Sequence, residues 1–245
     1  MANSITQRNI AEINARLAAM PTEEMVAWAV AEFANGLTFA CSFGAEDMVV
    51  LNMLLNAQPR ASVFVLDTGR LHQETYDLIE KSMERYGRPF EFYAPDTQAL
   101  EALLREAGPN SFYRSVEARR ACCRVRKVEP LARALAGKRA WLTGLRREQS
   151  MTRAELPLAQ IDEIHGGIVK LNPLANWSEE QVWEHIRSHC LAYNALHERG
   201  YPSIGCAPCT RAVRSGEDVR AGRWWWERAE HKECGLHSAS SDYGR

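Results

Sequence analysis

The chain has 245 residues, enough for one large domain or a domain with a small appendage, and its 46% hydrophobic and 25% charged content is that of an ordinary soluble protein. A formal net charge of −1 leaves no global basic field for polynucleotides or acidic membranes. Met1 to Met20 shows no cationic start followed by an apolar run, and no apolar stretch approaches membrane-spanning length, so the cytoplasm is expected and the seven cysteines are read as ligands, nucleophiles or core residues rather than disulfide partners.

In chain order, a helix is expected over Thr22 to Phe33 within an N-terminal helical segment, 1–36. A nucleotide-binding α/β core follows over 37–193. Short β-branched or aromatic runs at Leu37 to Cys41, Ser62 to Leu66, Phe90 to Tyr93 and Ala140 to Thr143 read as strands, with a weaker fifth at Ile168 to Leu171. Amphipathic runs at Ala45 to Leu55, Leu71 to Tyr86, Thr97 to Ala107 and Arg120 to Ala136 read as the helices between them. Such alternation predicts an α/β fold, a mostly parallel sheet with helices on both faces and ligands collecting at the strands' carboxyl ends. Ser178 and Gln181 form a capping-box signature for one more helix, with Val182 and Ile186 sharing a face. Beyond Asn194 the periodicity fades, which predicts an irregular C-terminal segment, 194–245, ending in a mobile tail, the whole forming a single domain.

Ser42-Phe43-Gly44-Ala45-Glu46-Asp47 joins a predicted strand to a predicted helix. Gly44 would permit a tight turn, Ser42 offers a hydroxyl, and the helix's first N–H groups would point at an anion. The lysine and Ser/Thr of a triphosphate loop are missing; a ligand-free capped turn is the plain alternative. Leu66-Asp67-Thr68-Gly69-Arg70 ends the next strand, where Leu66 main-chain groups could meet a base and Arg70 a phosphate, or where an Asp/Gly turn simply closes the strand.

Cys122-Cys123 and the pair Cys206 and Cys209 supply four thiols with metal-ligand spacing. Adjacent cysteines diverge on a helix, which suits the broad face of a four-iron cluster better than one tetrahedral zinc, though zinc stays open; a vicinal disulfide is disfavoured by ring strain. Arg126 and Lys127 stand four residues after Cys122 and Cys123, so Lys127 is placed to bridge cluster and substrate, while Arg119, Arg120 and Arg124 read as a solvated basic face. Cys41 and Cys190 are expected to be core thiols. Cys234, in Glu233-Cys234-Gly235-Leu236-His237, is a tail cysteine free to act as a nucleophile. Trp224-Trp225-Trp226 precedes it, with core packing favoured over a partner-facing role.

With the SFGAED loop, LDTG, both cysteine pairs and the ECGLH tail in this order, the chain resembles the assimilatory adenylyl-sulfate (APS) reductases from about Cys41 to His237. That resemblance implies an adenine-nucleotide alpha-hydrolase-like fold and a [4Fe-4S] cluster on Cys122, Cys123, Cys206 and Cys209. It places phosphosulfate at Ser42, Phe43, Gly44, Glu46 and Asp47 and adenine at Leu66. Lys127, Arg220, Arg223 and His237 would meet the negative oxygens, and Gly144, Arg146 and Arg147 would face the nucleotide. It also implies Cys234 as nucleophile, APS as substrate, and thioredoxin or a glutaredoxin-like dithiol as electron donor. Whether the chain is a monomer or a homo-oligomer stays open, and neither nucleic acid nor membrane is expected as a partner. The rival readings are a 3'-phosphoadenylyl-sulfate reductase, an iron–sulfur tRNA thiolation enzyme, which would need a basic RNA surface and a different loop, and a non-enzymatic redox sensor.

Overall fold

The structure, a computed structural model, describes residues 5–228. Its elements in chain order are α1 (Ile10–Ala18), α2 (Thr22–Phe33), β1 (Leu37–Ala40), α3 (Ala45–Ala57), β2 (Ser62–Leu66), α4 (Gln73–Tyr86), β3 (Glu91–Tyr93) and α5 (Thr97–Ala107). They continue with α6 (Val116–Cys123), a π-helical turn (Arg124–Val128), α7 (Glu129–Leu135), β4 (Ala140–Leu142), β5 (Ala159–Asp162), β6 (Ile168–Leu171) and α8 (Glu179–Ser188). The strands form a six-stranded sheet in the order β3-β2-β1-β4-β6-β5. β1 runs parallel to β2 and β4, and β4 parallel to β6; β5 pairs antiparallel with β6, with Ala159 opposite Leu171.

Burial explains the strand sequences. All of β4 and the middle of β2 are buried, so they read as continuous apolar runs rather than alternating ones. α3 is apolar nearly all round because it is buried nearly all round, from Asp47 to Leu55. The capping signals act as expected: Ser178 Oγ accepts from Gln181 N–H, and Gln181 reciprocates at the Ser178 N–H, 2.8 Å away. Asp96 and Ser115 cap α5 and α6 in the same way.

Differences from expectation have local causes. The helix expected over Arg120 to Ala136 is broken by the π turn, in which Glu129 N–H bonds back to the Arg124 carbonyl. Pro130 follows at once; lacking an N–H and crowding the carbonyl four residues back, it leaves the chain to widen there. β5 was not foreseen, whereas α1 lies within the N-terminal segment expected to be helical. α1 bears on β5 through Asn14, whose side-chain amide accepts from Ala159 N–H at 2.9 Å and donates to the Ala159 carbonyl at 2.8 Å.

The chain forms two compact units interleaved along the sequence. Among the described residues, one comprises 5–64, Asp77–Glu91 and Gly137–Asn194; the other comprises Val65–Tyr76, Phe92–Ala136 and 195–228. No helix among the described residues is long and apolar enough to cross a membrane.

Candidate functional site

In the first unit, β1 delivers the chain into the Ser42 loop and α3 begins at Ala45. The sharp turn falls on Phe43, not Gly44: Phe43 has φ 61°, whereas Gly44 is extended at φ −72°. A left-handed conformation at a bulky residue costs about 1–3 kcal/mol and persists only when its surroundings enforce it. Here the Phe43 ring is buried against Phe90, with centroids 5.9 Å apart. Ser42 itself is exposed.

Asp47 is buried beneath this loop. Its Oδ2 accepts from Ser42 N–H and Ser42 Oγ, both at 2.6 Å. Burial raises its carboxyl to about 6, against the opposing pull of the Ser42 hydrogen bonds and of the Gly144 N–H. Gly144 comes so close that a Cβ there would overlap Asp47 Oδ1 and lie 3.1 Å from Asp47 N, so glycine is the residue that fits. Asp47 therefore ties the Ser42 loop to the Thr143–Ser150 loop. Glu46 makes a second tie, to Arg146 Nε at 2.9 Å, and Arg146 also reaches Glu148 and the Trp177 carbonyl, each at 3.3 Å. Gln149 accepts from Arg146 N–H at 3.1 Å, and Thr143 donates to Asn172 at 2.6 Å. Arg147 is exposed and donates to the Leu156 carbonyl at 2.8 Å. Two strand-end loops are thus tied together beside Ser42 and the N-terminus of α3.

The second unit gathers the four cysteines. Cys122, Cys123 and Cys206 are buried and Cys209 half-buried, all as free thiols. Burial pushes the Cys209 thiol up to about 12, reinforced by Cys206 and Cys122 and opposed by Lys127 and Arg223. Cys122 is likewise raised by burial, with Arg126 and Arg70 pulling the other way. Gly69, at φ 66°, closes the Asp67 turn, and its N–H donates to Asp67 Oδ1 at 2.8 Å. The same turn holds the cysteine segments: Thr68 Oγ1 lies 3.3 Å from Cys206 Sγ, Arg126 donates to the Thr68 carbonyl at 2.6 Å, and Ala207 N–H donates to the Arg70 carbonyl at 2.8 Å. Arg70 stacks on Phe112, 4.8 Å from its centroid. Leu66 is half-buried at the end of β2.

Two sequence readings are corrected here. Arg119 is buried rather than part of a solvated face, because it has a specific acceptor in Glu227. Cys190 is exposed at φ 48°, just past α8, rather than a core thiol; Cys41 is buried as expected. Arg223 is buried, donating to Ser203 Oγ at 3.1 Å and the Ile204 carbonyl at 3.3 Å, and Arg220 N–H donates to Asp218 at 2.8 Å. Trp224 is buried, while Trp225 is partly exposed beside Tyr113. Cys234 and His237 lie outside the described residues.

Among the described residues, no three His, Cys, Asp or Glu side chains are grouped to hold one metal ion. An iron–sulfur cluster spreads its thiolates over different irons. Four free thiols are the donor type such a cluster takes. Arg126 Nε is also buried with no partner among the described residues, a donor that added anionic sulfur would satisfy.

Residues 36–212 match the phosphoadenosine phosphosulfate reductase domain model. A relative from Allochromatium vinosum named adenosine 5'-phosphosulfate reductase is 57% identical over 83% of this chain and 79% of its own length. One of the same name from Burkholderia cepacia is 52% identical over 85% of this chain and 83% of its own. A crystal structure of a phosphoadenylyl-sulfate reductase from Candida auris, a phosphate complex, superposes with a TM-score of 0.73 at 30% identity, covering 87% of this chain and 100% of that one. Yeast FAD synthetase shares the fold alone, with a TM-score of 0.55 at 12% identity over 82% of this chain and 73% of that one.

Proposed function

The chain belongs to the phosphoadenosine phosphosulfate reductase family, and from that premise we propose that it reduces APS to sulfite and AMP in sulfate assimilation. It is an enzyme acting on a sulfur group. The observation that carries the substrate is the similarity, above half identity over four-fifths of the chain, to relatives named for APS. Similarity to the 3'-phosphorylated-substrate reductase is weaker, at 30% identity.

Cys234 thiolate attacks the sulfur of APS, the S–O bond to the phosphate breaks, and AMP leaves with the bonding pair, so that an S-sulfocysteine remains. A dithiol donor of the thioredoxin kind then attacks Cys234 Sγ and expels sulfite. Its second thiol resolves the mixed disulfide, so two electrons pass from the dithiol to sulfur. The Ser42 loop, tied by Asp47 and Gly144, offers the first N–H groups of α3 to the phosphosulfate, while the Ser42 hydroxyl donates to Asp47. Arg146, already paired with Glu46, orients that loop. A [4Fe-4S] cluster held by Cys122, Cys123, Cys206 and Cys209 would supply fixed charge and positioning rather than electrons. The cytoplasm is the compartment that suits a thiol-dependent reductant.

Cys234→Ser tests the assignment. It should form no sulfonated protein and release sulfite below about one-thousandth of the wild-type rate, with visible absorbance retained. Labelled sulfite released by this variant at the normal rate would refute the nucleophile.

A further inference from the structure

The last described residues are held by both cysteine-bearing segments. Trp224 N–H donates to the Cys209 carbonyl at 3.0 Å, and Thr210 pairs with Arg223 in an antiparallel bridge. Glu227 then grips Arg119 with both oxygens: Nε to Oε1 at 3.0 Å and Nη2 to Oε2 at 2.8 Å. The two side chains are 1% and 3% exposed, and the Arg119 guanidinium sits 4.6 Å from the Trp224 ring centroid. Arg119 stands one turn before Cys122 and Cys123 on α6. A pair this dry contributes little net stability, because desolvation offsets its attraction; the best-attested use of such a pair is to set register.

The geometry points to Glu227 and Arg119 as positioning residues that fix the root of the nucleophile's tail to the helix carrying Cys122 and Cys123. This rests on the Cys234 assignment above. Cys234 follows Glu227 by seven residues, a reach of at most about 25 Å. With the ion pair broken, Trp226 is still held, its ring centroid 4.5 Å from that of Tyr113; it lies eight residues before Cys234, and the reach becomes about 29 Å. Tether length alone would then dilute the thiol only about 1.2-fold. Direction matters more, since a misplacement of about 1 Å at a reacting centre can cost about 10²-fold.

Three variants separate positioning from folding. Glu227→Gln removes the charge at equal volume, Glu227→Asp keeps the charge but shortens its arm, and Arg119→Lys keeps the charge and loses the fork. Each is mixed with APS in a single turnover without reductant, and sulfonation of Cys234 is followed by mass spectrometry beside AMP affinity, iron content and urea midpoint. Glu227→Gln should slow sulfonation about tenfold, beyond the effect of tether length. Its AMP affinity and iron content should stay within about twofold of wild type, and Glu227→Asp should recover part of the rate. Wild-type sulfonation rates in the Gln and Lys variants, or a loss that merely follows lost iron or lost fold, would overturn the role. A wild-type protein that carries no sulfonate on Cys234 would instead sink the nucleophile assignment, and the inference with it.

Discussion

At the scale of single residues, Asp47 is the most consequential side chain of the first unit. Burial holds its carboxyl at about 6, above the ordinary 3.8, so the native state favours the protonated form. The stability this contributes is complete below pH 3.8 and is lost as pH rises through about 6. Asp47→Asn should therefore be more stable relative to wild type at about pH 7.5 than at about pH 4.5, by something of order 2 kcal/mol. Urea midpoints measured for both proteins across that range check it, and parallel curves would contradict it. The motif containing Asp47 was legible in the sequence, but its role was not. The residue reads as one more polar group facing an anion, and only the approach of Gly144, about a hundred positions away, shows that the carboxylate turns inward. The left-handed Phe43 was hidden for a related reason: glycine is the default for such a turn, and packing against Phe90 overrode the preference. Arg119 carried no local signal either, since its acceptor lies 108 positions downstream.

At the scale of elements, local rules worked where local forces decide. The limits of α2, α5 and β2 match expectation: Asp96 caps α5 and an apolar run marks β2, while α2 starts directly after Pro21. β5 escaped because a short antiparallel strand is held by its neighbours rather than by its own composition. The π turn escaped because Pro130 lies inside a run that otherwise reads as one helix. Pro130→Ala would restore the missing N–H and let the segment close up as a regular helix, turning Cys122 and Cys123 by about 100° relative to α7. We expect a clear fall in iron bound per chain with no loss of helical circular dichroism. Full iron content in this variant would show that the turn has no part in presenting the cysteines.

At the scale of the whole molecule, the α/β class was readable from the alternation of elements, and the match to the reductase family follows it. The convergence of two distant cysteine pairs in one unit was readable from residue type and spacing, yet the turn at Thr68 that fastens them was not, because a threonine after an aspartate reads as an ordinary strand end. Protein purified without oxygen should carry about four irons per chain and a brown colour that fades in air. A colourless preparation holding only zinc would replace the cluster with a tetrahedral site.

Asn14 carries a consequence for behaviour in concentrated solution. An unpaired β-strand margin is a template on which other chains can add, and native proteins blunt such margins. By spending one amide on both main-chain groups of Ala159, α1 occupies a rung that an intruding strand would otherwise claim, so a modest N-terminal helix guards the fold against fibrous self-association.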